Sequence, residues 1–223
     1  NEPVIQIALG EFHGLALTAS RQVLCWGQDQ GPEVGLDATD QKGFLPESIN
    51  FNEPSPRSLD VPMPVKVVAA GGYHSAFITE NGQLWTWGSN SHGQLGLASP
   101  KSCPFVGRPR PLDALKGIDV SKVSLGGIHS AVLDTAGVAY TFGDNRRGQC
   151  GQGDLAQVPS PQAVLELPEN VRGVSCGGFF SFFQVGEDLY ACGWGKEGCL
   201  GFGRQSKRQL KVLRVPRPLG GSW

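Results

Sequence analysis

Gly71-Gly72-Tyr73-His74-Ser75-Ala76-Phe77-Ile78-Thr79, followed by Asn81-Gly82 and Leu84-Trp85-Thr86-Trp87-Gly88-Ser89-Asn90-Ser91-His92-Gly93-Gln94-Leu95-Gly96, is the stretch whose reading decides the fold. Residues 75–79 and 83–87 are strand-length runs rich in aromatic and β-favouring residues. Asn81-Gly82 between them signals a hairpin, because both residue types tolerate positive φ. Asn90 sits where a tight turn requires the left-handed backbone region, and Gly93 marks a second sharp bend.

The same order recurs three more times. Gly126-Gly127-Ile128-His129-Ser130 leads to Ala139-Tyr140-Thr141-Phe142-Gly143 and Asn145-Arg146-Arg147-Gly148. Upstream, Gly10-Glu11-Phe12-His13-Gly14 leads to Val23-Leu24-Cys25-Trp26-Gly27. Downstream, Gly177-Gly178-Phe179-Phe180-Ser181 leads to Tyr190-Ala191-Cys192-Gly193 and Gly195-Lys196-Glu197-Gly198. A further strand is expected ahead of each His block, at 4–9, 65–69, 120–125 and 171–176. No segment of ten or more residues has convincing helical periodicity. One such unit cannot bury both faces of its sheet, so it must stack on neighbours. Trp26, Trp87 and Phe142, at one equivalent position, are then expected as wedges between sheets, with looser packing where Cys192 replaces the aromatic.

These residues resemble the regulator of chromosome condensation repeat family. Its pattern runs through Gly-x-x-His-Ser/Thr, a Gly turn, an aromatic-Gly step and Asn-x-x-Gly-Gln-Leu-Gly, and 71–96 matches nearly throughout. The resemblance implies an all-β propeller of four-stranded antiparallel blades, usually seven to a ring. The four repeats, at 4–36, 65–97, 120–152 and 171–203, are read as one propeller domain or a piece of one. A ring of seven at this repeat length needs roughly 390 residues, and the chain has 223. A partial ring of seven is expected, its remainder lying outside this sequence or its open arc completed by a partner, with closure by fewer blades the least expected; Asn rather than Met at position 1 points to a fragment or a processed form.

Composition narrows the function. Net charge is −1, which gives no global reason for a nucleic acid or anionic membrane partner. No apolar run approaches the ~18 residues of a membrane helix. The six cysteines include no Cys-x-x-Cys pair and accompany no glycosylation sequon, so free thiols in an intracellular, reducing compartment are expected. No metal, cofactor or catalytic constellation is expected. His13, His74 and His129 recur equivalently with no repeated acid, so each is read as bonding turn backbone inside its own blade. Gly193-Trp194-Gly195-Lys196-Glu197-Gly198 imitates a dinucleotide fingerprint but occupies the repeat turn.

Two segments fall outside the repeat. The connection 37–64 has five prolines and five acids, and its Phe44, Leu45, Ile49 and Phe51 are candidate docking residues if it is more than a solvated insertion. The C-terminal segment 204–223 carries Lys207, Arg208, Lys211 and Arg214 with Arg204 and Arg217. That stripe meets phosphate, or a protein partner, or protects a last strand from edge pairing; edge protection is favoured over nucleic acid. The function expected from this is a non-catalytic protein–protein interaction scaffold within a larger assembly. The resemblance implies an alternative, nucleotide exchange on a Ran-type small GTPase.

Overall fold

The computed structural model describes residues 2–27, 53–98, 100–203 and 207–217. Its strands form four four-stranded antiparallel sheets in simple chain order. The first holds β1 (Val4–Leu9), β2 (His13–Thr18), β3 (Val23–Gly27) and β4 (Glu53–Leu59). The second holds β5 (Val65–Ala70), β6 (His74–Thr79), β7 (Leu84–Ser89) and β8 (Phe105–Pro111). The third holds β9 (Val120–Leu125), β10 (His129–Asp134), β11 (Ala139–Gly143) and β12 (Val158–Ala163). The fourth holds β13 (Val171–Cys176), β14 (Phe180–Val185), β15 (Asp188–Trp194) and β16 (Arg208–Arg214). These are the blades of a partial propeller ring.

The expected hairpins form, with one difference in mechanism. Gly82 alone takes positive φ (77°) and Asn81 does not, so the turn is a three-residue loop closed by the Gly82 N–H to Thr79 carbonyl bond. The stretch 37–64, read above as one long connection, contains strand β4, and the basic segment contains strand β16. Phe44, Leu45, Ile49 and Phe51 lie outside the described residues.

Each outer strand pairs with one strand of its own sheet, and β16 is bridged in addition at Lys211 to Gln152 of the preceding blade. β4, β8 and β12 carry prolines at 54, 56, 109, 111, 159 and 161, which remove donors from an exposed edge. β16 has no proline and carries Arg208, Lys211 and Arg214 instead. Charge is the other device that blunts an edge.

The core lies between blades. Leu15, Leu17 and Cys25 of the first blade pack with Phe77, Trp87 and Leu95 of the second. Ala76, Ile78 and Leu84 of the second pack with Val132, Phe142 and Cys150 of the third. Leu133 and Ala139 of the third pack with Phe183, Cys192 and Val212 of the fourth. Trp87 and Phe142 are thus wedges turned toward the preceding blade, and Trp26, in the first blade, is only half-buried. Cys192, where looser packing was expected, is fully buried in a core it shares with Phe183.

Near the blades' inner ends the backbones nearly touch. Gly72 N–H donates to the Gly126 carbonyl (3.0 Å), and Gly127 N–H to that of Gly178 (3.1 Å). A Cβ at Gly126 would lie 2.2 Å from His129 Cε1 and 2.6 Å from the Gly177 oxygen, whereas one at Gly178 would meet nothing within 4 Å. Gly126→Ala is therefore expected to destabilise the chain by about 3 kcal/mol, and Gly178→Ala by less than about 0.5 kcal/mol. Urea unfolding of the two variants checks the contrast.

Candidate interaction surface

Two faces of the arc carry loops. One is formed by the turns between first and second strands, at 10–12, 71–73, 126–128 and 177–179, and by the described loops that leave the third strands of the second, third and fourth blades. The pairing of His74 with Gly88, His129 with Gly143 and Phe180 with Gly193 puts these on the same end of every blade. The hairpins at 80–82 and 135–137 lie on the other face.

The histidines rivet one blade to the next. His13 Nε2 meets Ser75 Oγ at 2.7 Å, His74 Nε2 meets Ser130 Oγ at 2.8 Å, and His129 Nε2 meets Ser181 Oγ at 2.9 Å. This corrects the expectation of a bond to turn backbone inside each blade. Ser130 and Ser181 spend their hydroxyl protons on the carbonyls of Gln94 and Gln149. His74 and His129 must therefore donate from Nε2, which leaves Nδ1 as a buried lone pair, and no hydrogen bond reaches it. A second proton there would be buried without an acceptor. Burial accordingly lowers the pKa of His74 to about 3 and of His129 and His13 to about 4, with the charges of His129 and His13 lowering His74 further. These are neutral structural imidazoles.

The rivet changes at both ends of the chain. Gly14 stands where the other blades have Ser75, Ser130 and Ser181, and Phe180 stands where they have histidine. The signal for the partners was present in the sequence: a serine follows His74, His129 and Phe180 directly, and it receives the ring of the preceding blade.

Asn90 and Asn145 brace the loops rather than bend them. Neither adopts positive φ; the bends fall on Gly93 (75°), Gly148 (80°) and Gly198 (78°). Asn90 Oδ1 accepts from Leu95 N–H and its Nδ2 donates to the Cys103 carbonyl, and Asn145 does the same with Cys150 and Asp154. A short polar side chain that bonds the backbone on both sides fixes a loop without any strained torsion. Gly193–Gly198, the imitation of a dinucleotide motif, ends in a three-residue 3-10 turn at Lys196–Gly198, not the helix a pyrophosphate needs.

On the outer edge, Lys211 pairs with Glu166, and Arg214 and Arg217 converge on Asp188 at 2.7 and 2.8 Å. Lys207 and Arg208 stay exposed. The described cysteines at 25, 103, 150, 176, 192 and 199 are free thiols.

The regulator of chromosome condensation (RCC1) repeat matches residues 81–133 and 136–184, and a second form of it matches 4–30 and 65–94. The chain belongs to the RCC1 repeat family. It is 35% identical over 182 residues to the human probable E3 ubiquitin-protein ligase HERC6, covering 82% of this chain and 17% of that protein. It is 33% identical over 223 residues to the mouse probable E3 ubiquitin-protein ligase HERC4, covering 99% of this chain and 20% of that protein. The crystal structure of Prp20p from Saccharomyces cerevisiae superposes with a TM-score of 0.81 at 22% identity, over 99% of this chain and 52% of that one. The RCC1 fold is thereby fixed. The chain spans about a fifth of the ligases it matches. These relatives overturn the expectation that the protein is not an enzyme, because proteins named as ligases contain this same propeller segment.

Proposed function

We propose that this RCC1-repeat arc is the protein-recognition region of a ubiquitin-type protein ligase. What carries the reading is the match along 99% of the chain to a segment of a probable E3 ligase many times its length. The physical form suits the role. Three riveted blade interfaces make a stiff platform, and its loops are braced by buried Asn90, Asn145, Gln94 and Gln149 rather than left to fluctuate. Rigid loops on a rigid scaffold lose little entropy on binding.

Cross-linking capture with the protein from cell extract, followed by ubiquitin transfer to the captured partners, tests this. The expected outcome is a stable partner whose modification is lost when residues 4–214 are deleted. No stable partner, or modification indifferent to the deletion, overturns it. Exchange on a Ran-type GTPase is the alternative; the solved relative Prp20p is described with binding to Gsp1p and histones, but at 22% identity it lends only its fold. Acceleration of fluorescent-nucleotide release at catalytic amounts of the chain would transfer support to that reading.

A further inference from the structure

On the loop face, the residue before each rivet position is apolar: Phe12, Tyr73, Ile128 and Phe179. Phe12, Tyr73 and Phe179 are 37%, 36% and 40% exposed, and the rings of Phe12 and Tyr73 lie 5.9 Å apart. Each blade therefore sets one apolar side chain on this face, in line with those of its neighbours, with Ile128 half-buried and the other three open to water.

At the boundary of the third and fourth blades this line meets a cation. Arg147 reaches across from the third blade so that its guanidinium carbon lies 4.2 Å from the Trp194 ring centroid and 5.1 Å from that of Phe179. The Arg147 N–H is held by Gln149 Oε1 at 2.9 Å, and Trp194 N–H donates to the Phe179 carbonyl at 2.9 Å, so both partners have fixed backbones. Among the described residues no carboxylate pairs with Arg147. Its neighbour Arg146 is satisfied by Asp144 at 2.5 Å.

The repeat does not require this cluster. At the boundary of the second and third blades the equivalent positions are His92, Ile128 and Asp144, and the same turn is built with the same Asn and Gln braces. An arginine stacked on two aromatic rings, replacing a working arrangement without them, is surplus to the fold. Stacking also orients it, since a guanidinium lying against rings keeps its in-plane N–H groups free for a bidentate acceptor. Aromatic residues and arginine exposed together are the composition of binding hot spots.

We propose that Arg147, Phe179 and Trp194 form a docking site for a partner protein segment that carries a carboxylate next to apolar residues. The carboxylate would take the free edge of Arg147, and the apolar residues would lie along the line toward Tyr73. A nucleic acid is the poorer occupant: it needs a track of cations along its backbone, and the exposed cations beside Trp194, Lys207 and Arg208, do not continue along the apolar line, whose turns at 10–12, 71–73 and 126–128 hold no basic residue and one acid, Glu11. The proposal rests on the protein-recognition role given above.

A phage library of random 12-residue peptides panned on the protein tests it. The expected result is enrichment of peptides with Asp or Glu beside aromatic or aliphatic residues. A synthetic peptide of the enriched sequence should bind at least tenfold more weakly to Arg147→Glu, severalfold more weakly to Arg147→Lys, and unchanged to Lys116→Glu on the opposite face. Phe179→Ala, which removes an exposed ring, should reproduce the loss in a protein whose circular dichroism is that of the parent. Three results overturn the site: no enrichment of acidic residues, binding indifferent to Arg147→Glu and Phe179→Ala, or a single-stranded RNA 12-mer that binds with the same dependence on Arg147. Partners still captured from extract by Arg147→Glu would sink this site and leave the recognition role standing; no capture by the parent protein would sink the role itself.

Discussion

Lowering the pH from 6.5 to 4 is expected to unfold the chain far more steeply than its nearly balanced charge suggests. Three histidines have folded-state pKa values below the ordinary 6.5: about 3 for His74, about 4 for His129 and about 4 for His13. The unfolded chain binds these protons from about pH 6.5 downward, and the folded chain refuses them until about pH 4. Between those limits the unfolded state holds more protons, so stability falls as pH falls. Below pH 3 the contribution levels off, and above pH 7 it vanishes. Each buried imidazole contributes a slope of about 1.4 kcal/mol per pH unit in that window. His74 and His129 are fully buried and together give roughly 3 kcal/mol per unit; His13, half-buried in the first blade, adds less. A fall on the order of 5 kcal/mol between pH 6 and 4 is comparable to the whole stability of many domains. Urea midpoints across pH 4 to 7 measure it. His129→Phe copies the residue that the fourth blade already places over Gly177, and it should reduce the slope by about 1.4 kcal/mol per unit. A flat profile in the parent, or one unchanged by His129→Phe, would show that these rings take up protons without breaking the rivets.

The residues that recur because the blade needs them were legible in the sequence. His74, Trp87, Gly93 and their equivalents repeat at fixed offsets, since the hairpin and the loop behind it have one geometry. Order and spacing alone placed three strands of every blade. The fourth strand was not legible. Glu53–Leu59, Phe105–Pro111 and Val158–Ala163 are proline-rich outer strands that face solvent on one side, so neither alternation nor β-propensity marks them. They are strands because a third strand offers them a free edge, which is a tertiary fact. The histidine bonds were missed for a related reason. Their partners lie 52 to 62 residues away in the next blade, and no local pattern states which way a ring points across a blade boundary. Asn90 and Asn145 were assigned the correct loop but the wrong job: asparagine suits both a left-handed torsion and a side-chain brace, and only coordinates separate the two. The Arg147 cluster was invisible because Arg147 and Trp194 belong to no repeated pattern, and they meet Phe179 only when two blades stack.

Trp87→Ala should be the most damaging single substitution among the wedge residues, and Trp87→Phe nearly silent. Trp87 is fully buried in the core shared by the first and second blades, with its ring 5.8 Å from that of Phe77. Truncation to Ala removes most of a large apolar side chain and leaves a cavity closed on both sides by sheets, at a cost of about 4 kcal/mol. Phenylalanine keeps most of the packing. It also removes a liability, because Trp87 Nε1 is a buried donor with no acceptor, and such a group costs roughly 1–3 kcal/mol. The lost ring area and the relieved donor oppose one another, so the net change should be under about 1.5 kcal/mol. The third blade shows that the backbone accepts the smaller ring, since Phe142 fills the same position and is fully buried. Trp26 gives the contrast. It is half-buried, and its ring covers Gly14 of its own blade without another described blade closing over it. Trp26→Ala should therefore cost only about 1–2 kcal/mol. Urea unfolding of the three variants at constant m-value orders them as Trp87→Ala, then Trp26→Ala, then Trp87→Phe. An equal loss for Trp26→Ala and Trp87→Ala would mean that stability comes from within each blade, and that contact between blades, on which the wedge and rivet arguments both depend, contributes little.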